Sequence, residues 1–149
     1  MNWYKKNQNE WKNIIDTVSN ELSKSPIMVE KDTIQSMFLF ELSKCDLPFV
    51  FKGGTSLSKA YNLIDRFSED IDLSMARKIT AKEKKMSKDI IMNIGNTIGL
   101  SIKNLPERQS KYDYNKYLFE YDSLLSDKKM KLVLELVIIK FLIQLLNIK

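Results

Sequence analysis

The double glycine Gly53-Gly54 constrains the fold of this chain more than any other feature. Residues 49–51 read Phe-Val-Phe, which predicts a short apolar strand, and the two glycines break that strand. Thr55 or Ser56 is then expected to cap the helix that follows. A strand, a glycine turn and a helix in this order let the backbone approach a ligand closely and offer N–H groups to a phosphate. A tight turn without a ligand is the alternative.

Two acids stand at the beginning of a second short apolar run. Asp70 and Asp72 flank Ile71, and we predict a strand over residues 71–74. Because side chains alternate along a strand, carboxylates two residues apart point to the same side. Such carboxylates repel each other unless a cation lies between them, and Mg²⁺ is the usual cation where oxygen ligands also hold phosphates. A pair of solvated acids at a strand end is the alternative.

A third acid, Glu135, is the only carboxylate within the apolar run 132–139. If this run forms a strand beside the strand of Asp70 and Asp72, Glu135 could complete a metal site. If its side chain points outward, Glu135 is a solvated edge residue. In a strand buried on both faces an unpaired carboxylate would be costly, so we expect Glu135 to have a partner.

The other elements follow from apolar periodicity and from helix caps. We predict a helix over residues 10–23, a helix from the Ser25-Pro26 cap to near Cys45, and a third helix that begins at a Thr80–Glu83 capping box and ends at Gly99. Residues 105–114 are predicted to be a loop, and residues 117–121 and 131–137 a β-hairpin. The expected inward side chains are Trp11, Ile14, Ile15, Val18 and Leu22, then Ile34, Met37, Phe38 and Leu42, then Met86, Ile90, Ile91, Ile94 and Ile98. The run after residue 138 fits a terminal helix or a strand extension equally.

The composition excludes several kinds of site. The 149 residues include no histidine, which rules out Ser-His-Asp and Cys-His nucleophiles, a histidine general base and an imidazole zinc site. The single cysteine, Cys45, rules out an internal disulfide and fits a reducing compartment. Catalysis would have to rest on carboxylates, lysines, hydroxyls and a metal that prefers oxygen ligands.

Charge and hydropathy bear on partners and location. The net charge of +5 is compatible with a polyanionic partner, although many soluble proteins carry a similar excess without one. Residues 1–13 contain no apolar signal-peptide core, and the apolar run 132–148 is interrupted by Glu135, Lys140 and Gln144. We therefore expect a cytoplasmic protein without a membrane span.

The two motifs together resemble a known family. Residues 51–57, Phe-Lys-Gly-Gly-Thr-Ser-Leu, and residues 66–73, Arg-Phe-Ser-Glu-Asp-Ile-Asp-Leu, closely resemble the AbiEii/AbiGii toxin family of nucleotidyltransferases, within the DNA polymerase β-like superfamily. Residues 29–32, Val-Glu-Lys-Asp, are similar to the lead-in helix of that family. The resemblance spans about residues 29–73, and Glu135 matches a later strand acid of the superfamily pattern.

The resemblance implies a fold and a site. It implies an α+β fold, with a short mixed β-sheet flanked by helices, in one nucleotidyltransferase-like domain over residues 1–149. Within that domain we expect N-terminal helices over 1–46, a catalytic core over 47–137 and an apolar tail over 138–149. Asp70, Asp72 and Glu135 are the expected catalytic and Mg²⁺-binding residues. The expected nucleotide-binding residues are Gly53, Gly54, Thr55, Ser56 and Ser68.

The resemblance also implies an activity. A Mg²⁺-dependent nucleotidyltransferase transfers NMP from an NTP to an acceptor hydroxyl with loss of pyrophosphate. Toxins of this family act in toxin–antitoxin or phage-defence (abortive infection) systems, and some transfer to tRNA, so tRNA or another RNA and an antitoxin protein are the expected partners. Family members are longer than this chain. The alternative is therefore a truncated or split nucleotide-binding module that has no turnover and needs a partner.

Further lysines and tyrosines carry weaker signals. Lys52, Lys59 and Lys140 are candidates for the further lysine that longer members of the resembled family supply from a C-terminal helical region, and solvated charge is the alternative for each. Residues 82–85 are a basic helix start that could lie near RNA. Base stacking competes with core and hairpin packing for the four tyrosines Tyr112, Tyr114, Tyr117 and Tyr121.

Overall fold

The computed structural model describes residues 3–59, 69–103 and 114–138. Its helices are α1 Trp3–Lys6, α2 Gln8–Leu22, α3 Pro26–Leu42, α4 Gly53–Lys59 and α5 Ala81–Thr97. Its strands are β1 Phe49–Lys52, β2 Asp70–Met75, β3 Ser101–Ile102, β4 Tyr114–Asp122 and β5 Lys129–Val137. The predicted segments 105–113 and 139–149 and the predicted residue Ser68 lie outside the described residues.

The five strands form one mixed sheet in the order β1-β2-β5-β4-β3. Among the strands that the structure describes, only β2 and β5 pair in parallel, and Asp72 lies directly opposite Glu135 in that pair. The β1–β2, β4–β5 and β3–β4 pairs are antiparallel. The predicted α+β fold with a short mixed sheet and flanking helices is confirmed. The division into the segments 1–46, 47–137 and 138–149 stays a prediction.

Strand alternation separates an apolar face of the sheet from a charged face. Ile71 and Leu73 of β2 are fully buried, whereas the side chains of Asp70 and Asp72 lie on the other side of the strand. On the apolar face, the ring of Phe38 in α3 lies 5.7 Å from the ring of Phe119 in β4, measured between centroids. Buried residues of α3 and α5 join those of β2, β4 and β5 in a single core cluster. The charged face is therefore turned away from this core.

Helix α5 begins and ends as its sequence predicts. The backbone N–H of Glu83 donates to Thr80 Oγ1 at 3.2 Å, and the backbone N–H of Thr80 donates to Glu83 Oε2 at 2.8 Å. At the other end Gly99 takes a φ of +84°, and the N–H of Leu100 donates to the carbonyl of Gly95 at 2.8 Å. This conformation favours glycine because an L side chain meets steric strain there.

Several local predictions are wrong. Ile14, Leu22 and Met86 are 45%, 51% and 43% exposed rather than inward. A surface helix buries only the stripe that meets its neighbour, and in α2 that stripe contains Ile15 and Ser19. Strand β4 begins at Tyr114, the last residue of the predicted loop, because pairing with β5 extends to Val137.

Helix α4 also begins earlier than predicted. Its first residue is Gly53, so Thr55 and Ser56 lie in its first turn and neither occupies the cap position. Among the described helices, none is long and apolar enough to cross a membrane.

The carboxylate of Glu30 connects α3 to the loop that joins β4 and β5. Glu30 is fully buried, and its oxygens accept hydrogen bonds from Ser123 Oγ at 2.6 Å and from the backbone N–H of Leu124 at 2.7 Å. Ser123 Oγ in turn accepts from the N–H of Leu125 at 3.0 Å. Two loop donors are thus satisfied by one buried acid, which fixes the loop against the helix.

We predict that Glu30→Ala lowers the free energy of unfolding by about 3 kcal/mol, because it leaves two half-buried donors without an acceptor. Chemical denaturation followed by circular dichroism measures this change. The matched control is Glu41→Ala in the same helix, which removes only the exposed pair with Lys44 and should cost about 0.5 kcal/mol or less. Equal losses in the two variants would contradict the role given to Glu30.

The capping box predicts a pH dependence of stability. Hydrogen bonds from Arg77 and from the backbone of Thr80 lower the pKa of Glu83 from 4.5 to about 2. A depressed folded-state pKa means that the stabilisation is fully present above pH 4.5 and is lost as the pH falls towards 2.

We therefore expect Glu83→Gln to lower the melting temperature at pH 6, with a difference from the wild type that shrinks as the pH approaches 2. Thermal melts across this range measure the difference. Glu10→Gln is the control, since Glu10 lies in the first turn of α2, where no side chain forms a cap hydrogen bond. A difference for Glu83→Gln that stays constant with pH would contradict the prediction.

Candidate active site

The turn between β1 and α4 needs glycine at position 53 for two reasons. Gly53 takes a φ of +73°, a backbone conformation that L side chains rarely adopt. In addition, a Cβ added at Gly53 would overlap the carboxylate of Asp72. The turn and the acid are therefore in direct contact, and glycine is what allows that approach.

Four charged residues form one row across the charged face of the sheet. Lys52 of β1 lies opposite Asp72 of β2, and Asp72 lies opposite Glu135 of β5. Lys116 of β4 lies opposite Glu135 on its other side. Residues in register share a face, so the row reads lysine, acid, acid, lysine, and Asp70 lies on the same face two residues before Asp72. We call Lys52, Asp72, Glu135 and Lys116 the charged row.

The electrostatics of Asp72 reflect this crowding. Burial raises the pKa of Asp72, and the charges of Glu135 and then Asp70 raise it further. The charge of Lys52 acts in the opposite direction and lowers it. Like charges on one face thus disfavour the ionised form of Asp72, and a neighbouring cation favours that form.

Glu135 has the partners that the sequence led us to expect. Its Oε1 lies 3.2 Å from Nζ of Lys116. The hydroxyl of Tyr114, two residues from Lys116 on the same face, donates a hydrogen bond to the Glu135 carboxylate. Burial, this hydrogen bond and the charge of Glu135 together raise the pKa of Tyr114 to about 12, so the hydroxyl keeps its proton and remains a donor.

The donor set suits a divalent cation in its chemistry. Asp70, Asp72 and Glu135 are carboxylates on one face of the sheet, with Asp72 and Glu135 on adjacent strands. Across residues 3–59, 69–103 and 114–138, however, no three acidic or thiol side chains converge closely enough to hold a metal ion. The acids are thus assembled on one face, but they do not form a ready cluster.

The predicted nucleotide-binding residues lie around the Gly53 turn. Gly54 is half-buried in the first turn of α4, and Ser56 is buried, with 6% of its surface exposed. Thr55 lies between them in α4, but its side chain is not described. The roles of these residues in nucleotide binding stay predictions.

Helix α3 contacts the residue that ends α4 and the residue that precedes β2. Lys59, at the end of α4, places Nζ 2.6 Å from Oδ1 of Asp32 and 2.8 Å from Oγ of Ser36. Lys31 lies 3.7 Å from Glu69, the residue before β2. The ammonium of Lys59 is therefore bound by α3, which favours a structural role over both the further lysine of the family and a solvated charge.

Sequence reasoning missed Lys116 and did not connect Tyr114 with Glu135. The signal was the charge pattern of the hairpin, in which opposite charges face each other at three positions of one register: Lys116–Glu135, Glu120–Lys131 and Asp122–Lys129. Cross-strand pairs of opposite charge favour the register that joins them. Extending the predicted hairpin by this rule would have placed Lys116 beside the third acid.

Comparison with known proteins agrees with this geometry. The sequence model described as the nucleotidyl transferase AbiEii toxin of a type IV TA system matches residues 37–142, which is most of the chain. No curated protein matches the chain in sequence.

Two crystal structures share the fold. One is of an H. pylori protein to which nucleotidyltransferase function is ascribed, with a TM-score of 0.56 and 22% sequence identity over 76% of this chain and 46% of that one. The other is JHP933 from Helicobacter pylori, with a TM-score of 0.57 and 21% identity over 76% of this chain and 45% of that one. The chain thus spans less than half the length of each. The identities are low enough that these two structures bear on the fold alone, whereas the family match covers both sequence motifs and Glu135. The chain belongs to the AbiEii nucleotidyltransferase toxin family.

Proposed function

We propose that this protein transfers NMP from an NTP to an acceptor hydroxyl, in a reaction that depends on Mg²⁺. The observation that carries the proposal is the register of the sheet, in which Asp72 lies beside Glu135 and directly against Gly53. A tight glycine turn next to two carboxylates combines room for a triphosphate with ligands for the cation that accompanies it. Family membership supports the same reaction.

Each residue has a proposed task. Asp70, Asp72 and Glu135 would hold Mg²⁺, which when bound neutralises phosphate charge and orients the nucleotide. Gly53 and Gly54 leave the backbone open to the triphosphate, and Thr55, Ser56 and Ser68 are proposed hydroxyl donors. The acceptor oxygen forms a bond to the α-phosphorus while the α–β phosphoanhydride bond breaks. Pyrophosphate leaves with the electron pair, and the acceptor proton passes to solvent.

The acceptor and the partners belong to the same proposal. We propose tRNA or another RNA as acceptor, which the net charge of +5 supports through attraction to phosphates. The family's toxin–antitoxin description supports an antitoxin protein as a partner, and the cytoplasm is the proposed location. A role in phage defence is part of this proposal.

A nucleotide-binding module without turnover is the second candidate. It is favoured by one observation, that no three acidic or thiol side chains among the described residues lie close enough together to hold a metal ion. Such a module would bind an NTP through the same turn and acids and would need a partner to complete the reaction. Binding and transfer must therefore be measured separately.

The proposed reaction predicts transfer of label to RNA. With Mg²⁺, total tRNA and each α-labelled NTP in turn, we expect the wild type to label RNA and Asp72→Asn to reduce the rate at least about 100-fold, because it removes a proposed cation ligand. Gel electrophoresis of the RNA measures the product. Asp122→Asn is the matched control, since Asp122 is an exposed acid on the same face at the far end of the β4–β5 ladder.

The outcomes separate the two candidates. Equal labelling by the wild type and Asp72→Asn would contradict the proposed site. NTP binding without labelling would favour the module, and a loss of labelling in Asp122→Asn would show that the effect is not specific to the row.

The glycine turn predicts a second selective loss. Gly53→Ala should lower the affinity for an NTP at least about tenfold, because the new methyl group displaces Asp72 in addition to straining the backbone. Calorimetric titration with a non-hydrolysable NTP measures this affinity.

Gly99→Ala is the control for backbone strain, since Gly99 has a similar positive φ of +84° at the end of α5. It should lower stability and leave NTP affinity unchanged. If both variants lost affinity equally, strain alone would explain the effect.

A further inference from the structure

The third acid of the site is held by the far lysine of the charged row. Oε1 of Glu135 is 3.2 Å from Nζ of Lys116, and the hydroxyl of Tyr114 donates to the same carboxylate. Both partners lie on β4, on the side of Glu135 opposite to Asp72. Among the described residues, no three acidic or thiol side chains lie close enough together to hold a metal ion. The contacts of Glu135 are thus with β4, on the side away from Asp70 and Asp72.

We propose that Lys116 is a positioning residue that occupies Glu135 in the ligand-free protein, releases it when a divalent cation binds, and then contacts the phosphates of the nucleotide. The inference rests on the proposed function, since it concerns the same site. It assigns Lys116 to two successive partners, a carboxylate and a phosphate.

The charges of the row support this exchange. Without a cation, Lys52 and Lys116 flank the two central acids and offset their repulsion. A divalent cation shared by the acids takes over that role, and it then repels the ammonium of Lys116. The phosphates of an incoming nucleotide supply the negative charge that the ammonium loses.

The exposure of Lys116 allows it to move. Its side chain is 53% exposed, whereas that of Glu135 is 30% exposed. A lysine side chain is a flexible stem with a compact charge, so it can exchange one oxygen partner for another at low cost.

A surface ion pair with no functional role is the competing explanation, and the same hairpin contains one for comparison. Lys129 lies 3.0 Å from Asp122 on the same face of the β4–β5 ladder, and both side chains are more than half exposed. Lys129 lies six positions before Glu135 in β5, which is about 20 Å along a strand. Lys129→Met is therefore a control for the loss of a cross-strand lysine.

Metal affinity without nucleotide tests the first half of the inference. Mn²⁺ takes oxygen ligands as Mg²⁺ does and can be followed by electron paramagnetic resonance. We expect Lys116→Met to bind Mn²⁺ about fivefold more tightly than the wild type, because the metal no longer competes with the ammonium for Glu135. Lys116→Arg, which keeps the charge, and Lys129→Met should bind as the wild type does. Adding Asp72→Asn to Lys116→Met should abolish the binding.

Nucleotide affinity tests the second half. In Mg²⁺, Lys116→Met should bind a non-hydrolysable NTP about fivefold more weakly, because a phosphate contact is lost. The opposite signs for metal and for nucleotide are diagnostic, since a purely structural defect would weaken both. Thermal melts of the variants check that each is folded.

Three results would overturn the inference: equal Mn²⁺ affinity in Lys116→Met and the wild type, no Mn²⁺ binding by either, or unchanged nucleotide affinity in Lys116→Met. None of these measurements requires nucleotidyl transfer. Normal transfer by the wild type, with unchanged metal and nucleotide affinities in Lys116→Met, would reject the inference and keep the proposed function. Tighter metal binding and weaker nucleotide binding in Lys116→Met, with no transfer by the wild type, would support the inference and reject the proposed function.

Discussion

The parallel pairing of β2 with β5 is the constraint on which the rest of this structure depends. It joins residues 70–74 to residues 133–137, which are far apart in the chain, and it is the one parallel pair among the described strands. A parallel pair needs a long crossover, and here the connection contains α5, β3 and β4. Helix α5 of this crossover packs on the apolar face of the sheet. The antiparallel strand β4 places Lys116 beside Glu135, and the charged face remains open for the candidate site.

The same pairing brings like charges together at the centre of the sheet. Two unit charges 4 Å apart interact with about 4 kcal/mol at an effective dielectric constant of 20, so adjacent ionised acids are unfavourable without nearby cations. Burial is the main cause of the raised pKa of Asp72, and the repulsion from Glu135 and Asp70 raises this pKa further. Lys52 and Lys116, on the two outer strands of the row, reduce this repulsion in the ligand-free protein. In the proposed function, a bound cation would offset the repulsion that remains.

Local sequence rules predicted the elements that depend on neighbours in the chain. The Thr80–Glu83 capping box, the end of α5 near Gly99 and the alternation of Asp70, Ile71 and Asp72 all appear in the structure as predicted. The errors concern residues whose environment is set by distant segments. Ile14 and Leu22 are exposed because α3 covers only part of α2, and Tyr114 joins β4 because β5 extends far enough to pair with it.

The sequence by itself determined the family, the strand–glycine–helix order and the three acids, because each of these is encoded in residue types at short spacing. Only the tertiary structure decided that Glu135 lies in register with Asp72, that Gly53 is in contact with the Asp72 carboxylate, and that Lys116 holds the third acid. Strand order and register arise from packing between segments that are distant in the chain. A shift of one residue in β5 would have moved Glu135 to the apolar face.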